Sequence, residues 1–194
     1  MTEFSIDPRA VFEAHRIVLE ESARVLPSAI EKVAGCLERC LRAGGKILVC
    51  GNGGSAADAQ HFASELVGRL DGNRRALSAI ALTTDGSSLT AIANDTGFAN
   101  VFARQVEALA REGDTLAAIS TSGRSANVLL AADRARSIGC TVVALTGSAG
   151  AELLARSDLA LVVPSTDVQR VQEMHTLCLH ALARMLEVRF AEHP

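Results

Sequence analysis

From Lys46 onward the chain alternates short, wholly apolar runs with stretches of helical periodicity, and this constrains its fold more than any other feature. The apolar runs are Lys46–Cys50, Ala79–Leu82, Thr115–Ile119, Thr141–Leu145 and Leu159–Val163. Each is short, and its apolar residues are consecutive rather than alternate. A strand reads that way when both of its faces are covered, as in a parallel sheet. Between the runs lie helical patterns at 55–70, 87–93, 100–111 and 125–137, a short one near Ala151, and a long one from about Val168 to Phe190. Strands joined by such helices form βαβ crossovers. The expected fold class is therefore α/β, a doubly wound parallel five-stranded sheet flanked by helices.

Ahead of this core, Val11, Phe12, His15, Val18, Leu19, Ser22 and Val25 recur at three- and four-residue spacing. Pro27 interrupts the pattern, Ile30, Val33, Ala34, Leu37 and Leu41 resume it, and Gly44-Gly45 ends it. This predicts an N-terminal helical hairpin over 1–43 leading into an α/β core over 44–194. No repeat or linker divides the chain, so a single domain is expected. Apolar residues make up 48% of it, enough to bury a core and to exclude disorder as the main state.

The net charge of −3, from 19 basic and 22 acidic residues, argues against direct nucleic-acid binding. The longest uncharged stretch, Ser137–Ala151, contains Gly, Ser and Thr and falls short of the roughly 20 apolar residues of a membrane span. The N-terminus is acidic, with no apolar stretch behind it, so no signal peptide is expected. Cys36, Cys40, Cys50, Cys140 and Cys178 are odd in number and irregular in spacing. They read as free thiols in a reducing compartment, and the expected location is cytoplasmic.

In a doubly wound sheet, ligands bind past the carboxyl ends of the strands. Two loops sit there. Gly51-Asn52-Gly53-Gly54-Ser55 follows the first run; Ser55 is a candidate N-cap, and the helix start behind it offers free N–H groups to an anion. Such a Gly-rich turn also serves as a plain connection, and neither a dinucleotide fingerprint nor a Walker A loop is present. Ser120-Thr121-Ser122-Gly123-Arg124-Ser125 follows the third run. Its four hydroxyls exceed what helix capping needs and suit a phosphate. His61 and Glu65 are four apart on one helix face, as an exposed ion pair or as metal ligands. Gln172 and His180 on the terminal helix are about 80° apart around its axis and can lean toward one cleft. His175, between them, reads as a structural residue. Arg69, Arg74 and Arg75 read as solvated surface, with phosphate contact as the alternative.

Taken together, Gly44–Ser55, Gln60–Leu66, Ala93–Phe98, Ile119–Val128 and Val171–His175 resemble the phosphoheptose isomerases of the sugar isomerase (SIS) domain family. The resemblance spans nearly the whole chain. It implies an aldose–ketose isomerase that converts D-sedoheptulose 7-phosphate to D-glycero-D-manno-heptose 7-phosphate, the first step of activated heptose biosynthesis. It implies a cytoplasmic homotetramer with sites at subunit contacts, and zinc held by residues matching His61, Glu65, Gln172 and His180. Substrate contacts would fall on Asn52, Gly53, Gly54, Ser55, Glu65, Asn94, Asp95, Ser120, Thr121, Ser122, Ser125 and Gln172. Glu65 would act as base and His180 as acid. One position departs from the pattern: where relatives can carry an acidic residue before the arginine matching Arg170, this chain has Gln169, with Asp167 two residues earlier. The rival reading is a non-catalytic SIS-domain adaptor that binds the bacterial replication initiator. A pure adaptor has no need for both the Glu65 carboxylate and the His180 imidazole.

Overall fold

The structure, a computed structural model, describes residues 7–191. Five strands, β1 (Ile47–Cys50), β2 (Ala79–Ala81), β3 (Thr115–Ile119), β4 (Thr141–Gly147) and β5 (Leu159–Val163), form one sheet in the order β2-β1-β3-β4-β5. Every pairing is parallel. The order reverses between β1 and β3, so the switch point of the doubly wound sheet lies between the two loops singled out above.

The consecutive apolar residues of the strands are divided between two cores. Ile47, Val49, Ala117, Ile119, Val143 and Leu145 face one, with α2 (Pro27–Arg42), α3 (Gly54–Val67) and α8 (Val168–Phe190) packed over them. Leu48, Cys50, Leu116, Ala118, Val142 and Ala144 face the other, under α5 (Val101–Leu109), α6 (Ala126–Ile138) and partly buried residues of α4 (Gly86–Thr96). The period of two is thus present but hidden, because both faces are apolar. The short α7 (Ala151–Leu154) adds Leu153 to the second core. Helix α1 (Pro8–Val25) lies outermost, and Ser22 is its only buried residue.

Local chemistry sets the helix starts. Asp7 caps α1 by accepting from the Arg9 N–H, and Pro8 and Pro27 occupy first-turn positions where no N–H is needed. Asp167 caps α8, accepting from the Gln169 and Arg170 N–H groups. Several expected boundaries shift, among them the ends of α3 at Val67 and of β4 at Gly147. Helix α3 starts one residue earlier than predicted, so Ser55 lies inside its first turn, buried, and Gly53 holds the N-cap without a side-chain bond. Helix α4 is longer than its apolar pattern, reaching Thr96 before Gly97 turns the chain. The helix expected over 100–111 spans Val101–Leu109, and a 3-10 turn at Phe98–Asn100 precedes it.

All five cysteines are free and buried, as their spacing suggested, and burial pushes the Cys50 thiol up to about 12. Among the described residues no helix is long and apolar enough to cross a membrane.

At the amino ends of the strands, the buried Asp114 ties β1 to β3. Its carboxylate accepts from the Lys46 N–H at 2.9 Å, the Lys46 ammonium at 2.6 Å and the Arg111 N–H at 2.7 Å. Asp114→Ala orphans all three donors. It is expected to cost about 3 kcal/mol, which thermal unfolding would register as a fall of about 10 °C.

Candidate functional site

Helices α3 and α8 lie side by side and run in the same direction, and three contacts mark the seam. At the start of α3 the Gln172 amide packs on Gly54, where a Cβ would stand 2.5 Å from the amide nitrogen. One turn on, the Thr176 hydroxyl donates to Asp58 Oδ1 at 2.8 Å. Beyond it, His180 Nε2 lies 3.1 Å from His61 Nε2 and 3.3 Å from Glu65 Oε1. His61 Nε2 is 2.9 Å from the same carboxylate oxygen. Residues 172, 176 and 180 form one stripe of α8, and 54, 58, 61 and 65 one stripe of α3.

The burial of the three converging groups is uneven. The Glu65 side chain is 9% exposed, and its Oε2 is buried with no hydrogen-bond partner. The imidazoles of His61 and His180 are about half exposed and meet edge to face, with centroids 5.0 Å apart. One ligand atom from each of His61, Glu65 and His180 lies within 4.8 Å of the other two. Two imidazole nitrogens facing each other at hydrogen-bond distance need a proton or a cation between them. The set is two nitrogens and one oxygen, open to solvent on one side. That is a donor set a divalent metal such as zinc takes while leaving a position for water or substrate. The residues fit a metal. Gln172 shares the stripe but stands two turns before His180, with its amide against Gly54; among the described residues no hydrogen bond joins it to the triad.

The loops past β1 and β3 lie at the glycine end of the seam. Asn52 and Asn127 exchange amide hydrogen bonds at 2.9 and 2.8 Å, tying the glycine loop to the start of α6. Ser120 and Ser125 share a hydroxyl bond of 3.1 Å across the serine loop. Ser125 makes no side-chain cap bond to α6, so the hydroxyls are not spent on capping. The loop closes tightly because Gly123 adopts φ +64° and presses on Gly150, where a Cβ would stand 2.4 Å from the neighbouring Cα. The Thr121 carbonyl accepts from the Gly147 N–H at 3.0 Å, and Gly147 in turn abuts Val171 of α8. The carboxyl ends of β1, β3 and β4 thus meet the start of α8.

Other candidates stand apart. Asn94 and Asp95 lie exposed on α4, in the opposite helix layer, bonded to each other at 2.9 Å. A single chain does not bring them to the triad. Asp167 is occupied as the α8 cap and does not replace an acidic residue at position 169; Gln169 instead lines the cleft beside Gln172. His175 is fully buried, and its surroundings push its imidazole down to about 4, as a structural residue would be.

Sequence reading missed Asp58, Thr176 and Asn127. Asp58 Oδ2 is buried without a partner, and burial raises its carboxyl above the usual carboxylate range against the Thr176 hydroxyl and the nearby imidazoles. The signal was present as the four-residue stripe through 54, 58 and 172, 176. It becomes legible only once the two helices are known to touch.

A family description reading "SIS domain" matches residues 12–147. The chain is 51% identical over 180 residues to a phosphoheptose isomerase of Helicobacter pylori (strain P12), covering 93% of this chain and 94% of the relative. It is 50% identical over 179 residues to one of Campylobacter jejuni, covering 92% and 96%. A solved phosphoheptose isomerase of Neisseria gonorrhoeae superposes with a TM-score of 0.88 at 45% identity, covering 93% and 96%. One of Francisella tularensis does so with a TM-score of 0.88 at 41% identity and the same coverage. Sequence, fold and the convergence of His61, Glu65 and His180 agree, and the chain belongs to the phosphoheptose isomerases of the SIS domain family.

Proposed function

We infer that the protein interconverts D-sedoheptulose 7-phosphate and D-glycero-D-manno-heptose 7-phosphate. The observation that carries the mechanism is the meeting of a buried carboxylate with two half-exposed imidazoles. Moving a carbonyl from C2 to C1 requires a proton to leave C1 and one to arrive at C2. A second proton passes from the C1 hydroxyl to the C2 oxygen. The intermediate is an enediolate, so the site needs a base, an acid and a stabiliser of negative charge.

Glu65 is the base in this scheme. Its Oε1 faces the half-exposed imidazoles of His61 and His180 on the open side of the site, and the carboxylate takes the carbon-bound proton there. His180 carries the proton that moves between the two oxygens. Ser120, Thr121, Ser122 and Ser125 would hold the phosphate, with Asn52, Gly53, Gly54 and Ser55 lining the approach from the glycine loop. Their grip on the far end of the sugar supplies binding energy remote from the reacting carbons. Zinc, one per subunit, would be held by His61, Glu65 and His180, with Gln172 as a fourth ligand after its amide turns from Gly54. When bound, it supplies Lewis acidity at the carbonyl and enediolate oxygens.

Helix α1 leaves Val11, Phe12, Ile17 and Val25 exposed, Phe12 at 77%, which favours burial against other copies of the chain. A homotetramer would also give Asn94 and Asp95 a route into a neighbouring site. The buried free thiols accord with a cytoplasmic location. The initiator-binding adaptor gains no support, since the geometry retained is that of acid–base chemistry.

Three outcomes test this reading. Glu65→Gln and His180→Ala should each lower kcat on sedoheptulose 7-phosphate by about 10²–10⁴-fold while remaining folded; undiminished turnover would remove the assigned roles. Protein purified without chelators should contain stoichiometric zinc by elemental analysis, and His61→Ala should lose it; fully active metal-free protein would exclude the metal. Sedimentation should give a tetramer, and a stable, active monomer would contradict it.

A further inference from the structure

The end of α3 is closed by a side chain that sequence reading assigned to solvent. Glu65 belongs to the last turn of this helix, where backbone carbonyls lack intrahelical partners and helices fray first. Here those carbonyls are gripped by the guanidinium of Arg74, nine residues beyond Glu65. Its Nη2 donates to the carbonyl of Glu65 itself at 2.5 Å. Its Nη1 donates to the Leu66 carbonyl at 3.0 Å and the Arg75 carbonyl at 2.9 Å, with the Gly68 carbonyl at 3.4 Å. A cation at a helix carbonyl end is also favoured by the helix dipole. With both terminal nitrogens turned onto backbone carbonyls, Arg74 is not placed to hold a substrate phosphate.

The loop that carries Arg74 is fastened to the second helix of the site. The buried carboxylate of Glu187, two turns beyond His180 on α8, accepts from the Leu70 N–H at 3.1 Å and from the Asp71 N–H at 3.1 and 3.0 Å. Backbone pairing joins Arg74 to Ala191 just past α8. The guanidinium of Arg75 stacks over the Phe190 ring near the end of the same helix. The segment from 68 to 75 is therefore a brace, with Arg74 holding the end of α3 and Glu187 holding the loop to α8. Glu65 and His180, which must sit 3.3 Å apart, lie one on each helix, a turn or two from the brace.

We infer that Arg74 is a positioning residue for the isomerisation: by binding the carbonyl end of α3, it holds the Glu65 carboxylate in register with His180. This rests on the placement of Glu65 and His180 proposed above. Substrate phosphate is bound elsewhere, on the strand-end loops, so loosening the brace should disturb the chemical step and leave substrate binding largely intact.

The test uses the full-length protein with Arg74→Met, Arg74→Lys and Glu65→Gln, measuring kcat and KM on sedoheptulose 7-phosphate, melting temperature, and affinity for Zn²⁺ by chelator competition. Arg74→Met should lower kcat about 10–100-fold and weaken Zn²⁺ binding by a similar factor. KM should stay within about threefold, the split expected when a transition-state interaction is lost. A lower melting temperature with wild-type kcat and Zn²⁺ affinity would reduce Arg74 to a helix cap and overturn the inference. If Arg74→Met does not fold, Arg74→Lys decides. Lysine keeps the charge but donates from one nitrogen and cannot span from the Glu65 carbonyl to that of Arg75. Its kcat must therefore still fall at unchanged KM, and wild-type kcat overturns the inference. Glu65→Gln separates the two possible failures. Full activity in Glu65→Gln would sink the site reading itself; an inactive Glu65→Gln beside a fully active Arg74→Met would sink the brace alone.

Discussion

The site is made by the close approach of two helices that lie more than a hundred residues apart in the chain. Gly54 permits it. With no Cβ at that position the Gln172 amide lies directly on the α3 backbone, and α8 can run alongside α3 from its first turn. The Asp58–Thr176 bond fixes the next turn, and the two imidazoles and the Glu65 carboxylate follow beyond it. A side chain at position 54 would displace the Gln172 amide from the α3 backbone.

That contact is anchored at both ends. At the glycine end, the sheet brings the turns after β1, β3 and β4 together, so Asn52, Asn127, Thr121 and Gly147 connect the loops to the start of α8. At the other end, Arg74 and Glu187 bind the loop after α3. Rigid support of this kind suits a site whose groups must be held within a fraction of an ångström, because misplacement of a base by about 1 Å can cost about 10²-fold in rate. The electrostatics follow the same plan. The carboxylate is buried and the imidazoles reach solvent, so protons can be exchanged from the open side while the base stays dry.

The division of the strands between two cores explains how a chain with almost no aromatic residues packs well. Small and branched side chains are mixed on both faces: Ala117 pairs with Val143, Ala118 with Ala144 and Ile119 with Leu145. The helices can then settle close to the strands, which keeps the strand-end loops short and the glycine and serine loops near one another. Helix α1 is the exception. It buries one residue in its own chain and presents an apolar outer face.

The amino-acid sequence by itself determined the alternation of strands and helices, the parallel sheet and the two loops at its carboxyl edge, because these depend on local periodicity and on turn chemistry. β3, β5 and α8 begin and end where their patterns do, at Thr115–Ile119, Leu159–Val163 and Val168–Phe190. His61 and Glu65 were legible as a pair since four residues is one helical turn. Which groups meet them was decided by tertiary structure alone. His180 joins the pair while Asn94 and Asp95 remain on the opposite layer. Asp58 is bonded to Thr176, and Arg74 leaves solvent for the carbonyls of α3. An arginine or an aspartate reads the same in sequence whether water or a backbone surrounds it; the difference arises when the packing of α8 against α3 removes the water and leaves only particular partners within reach.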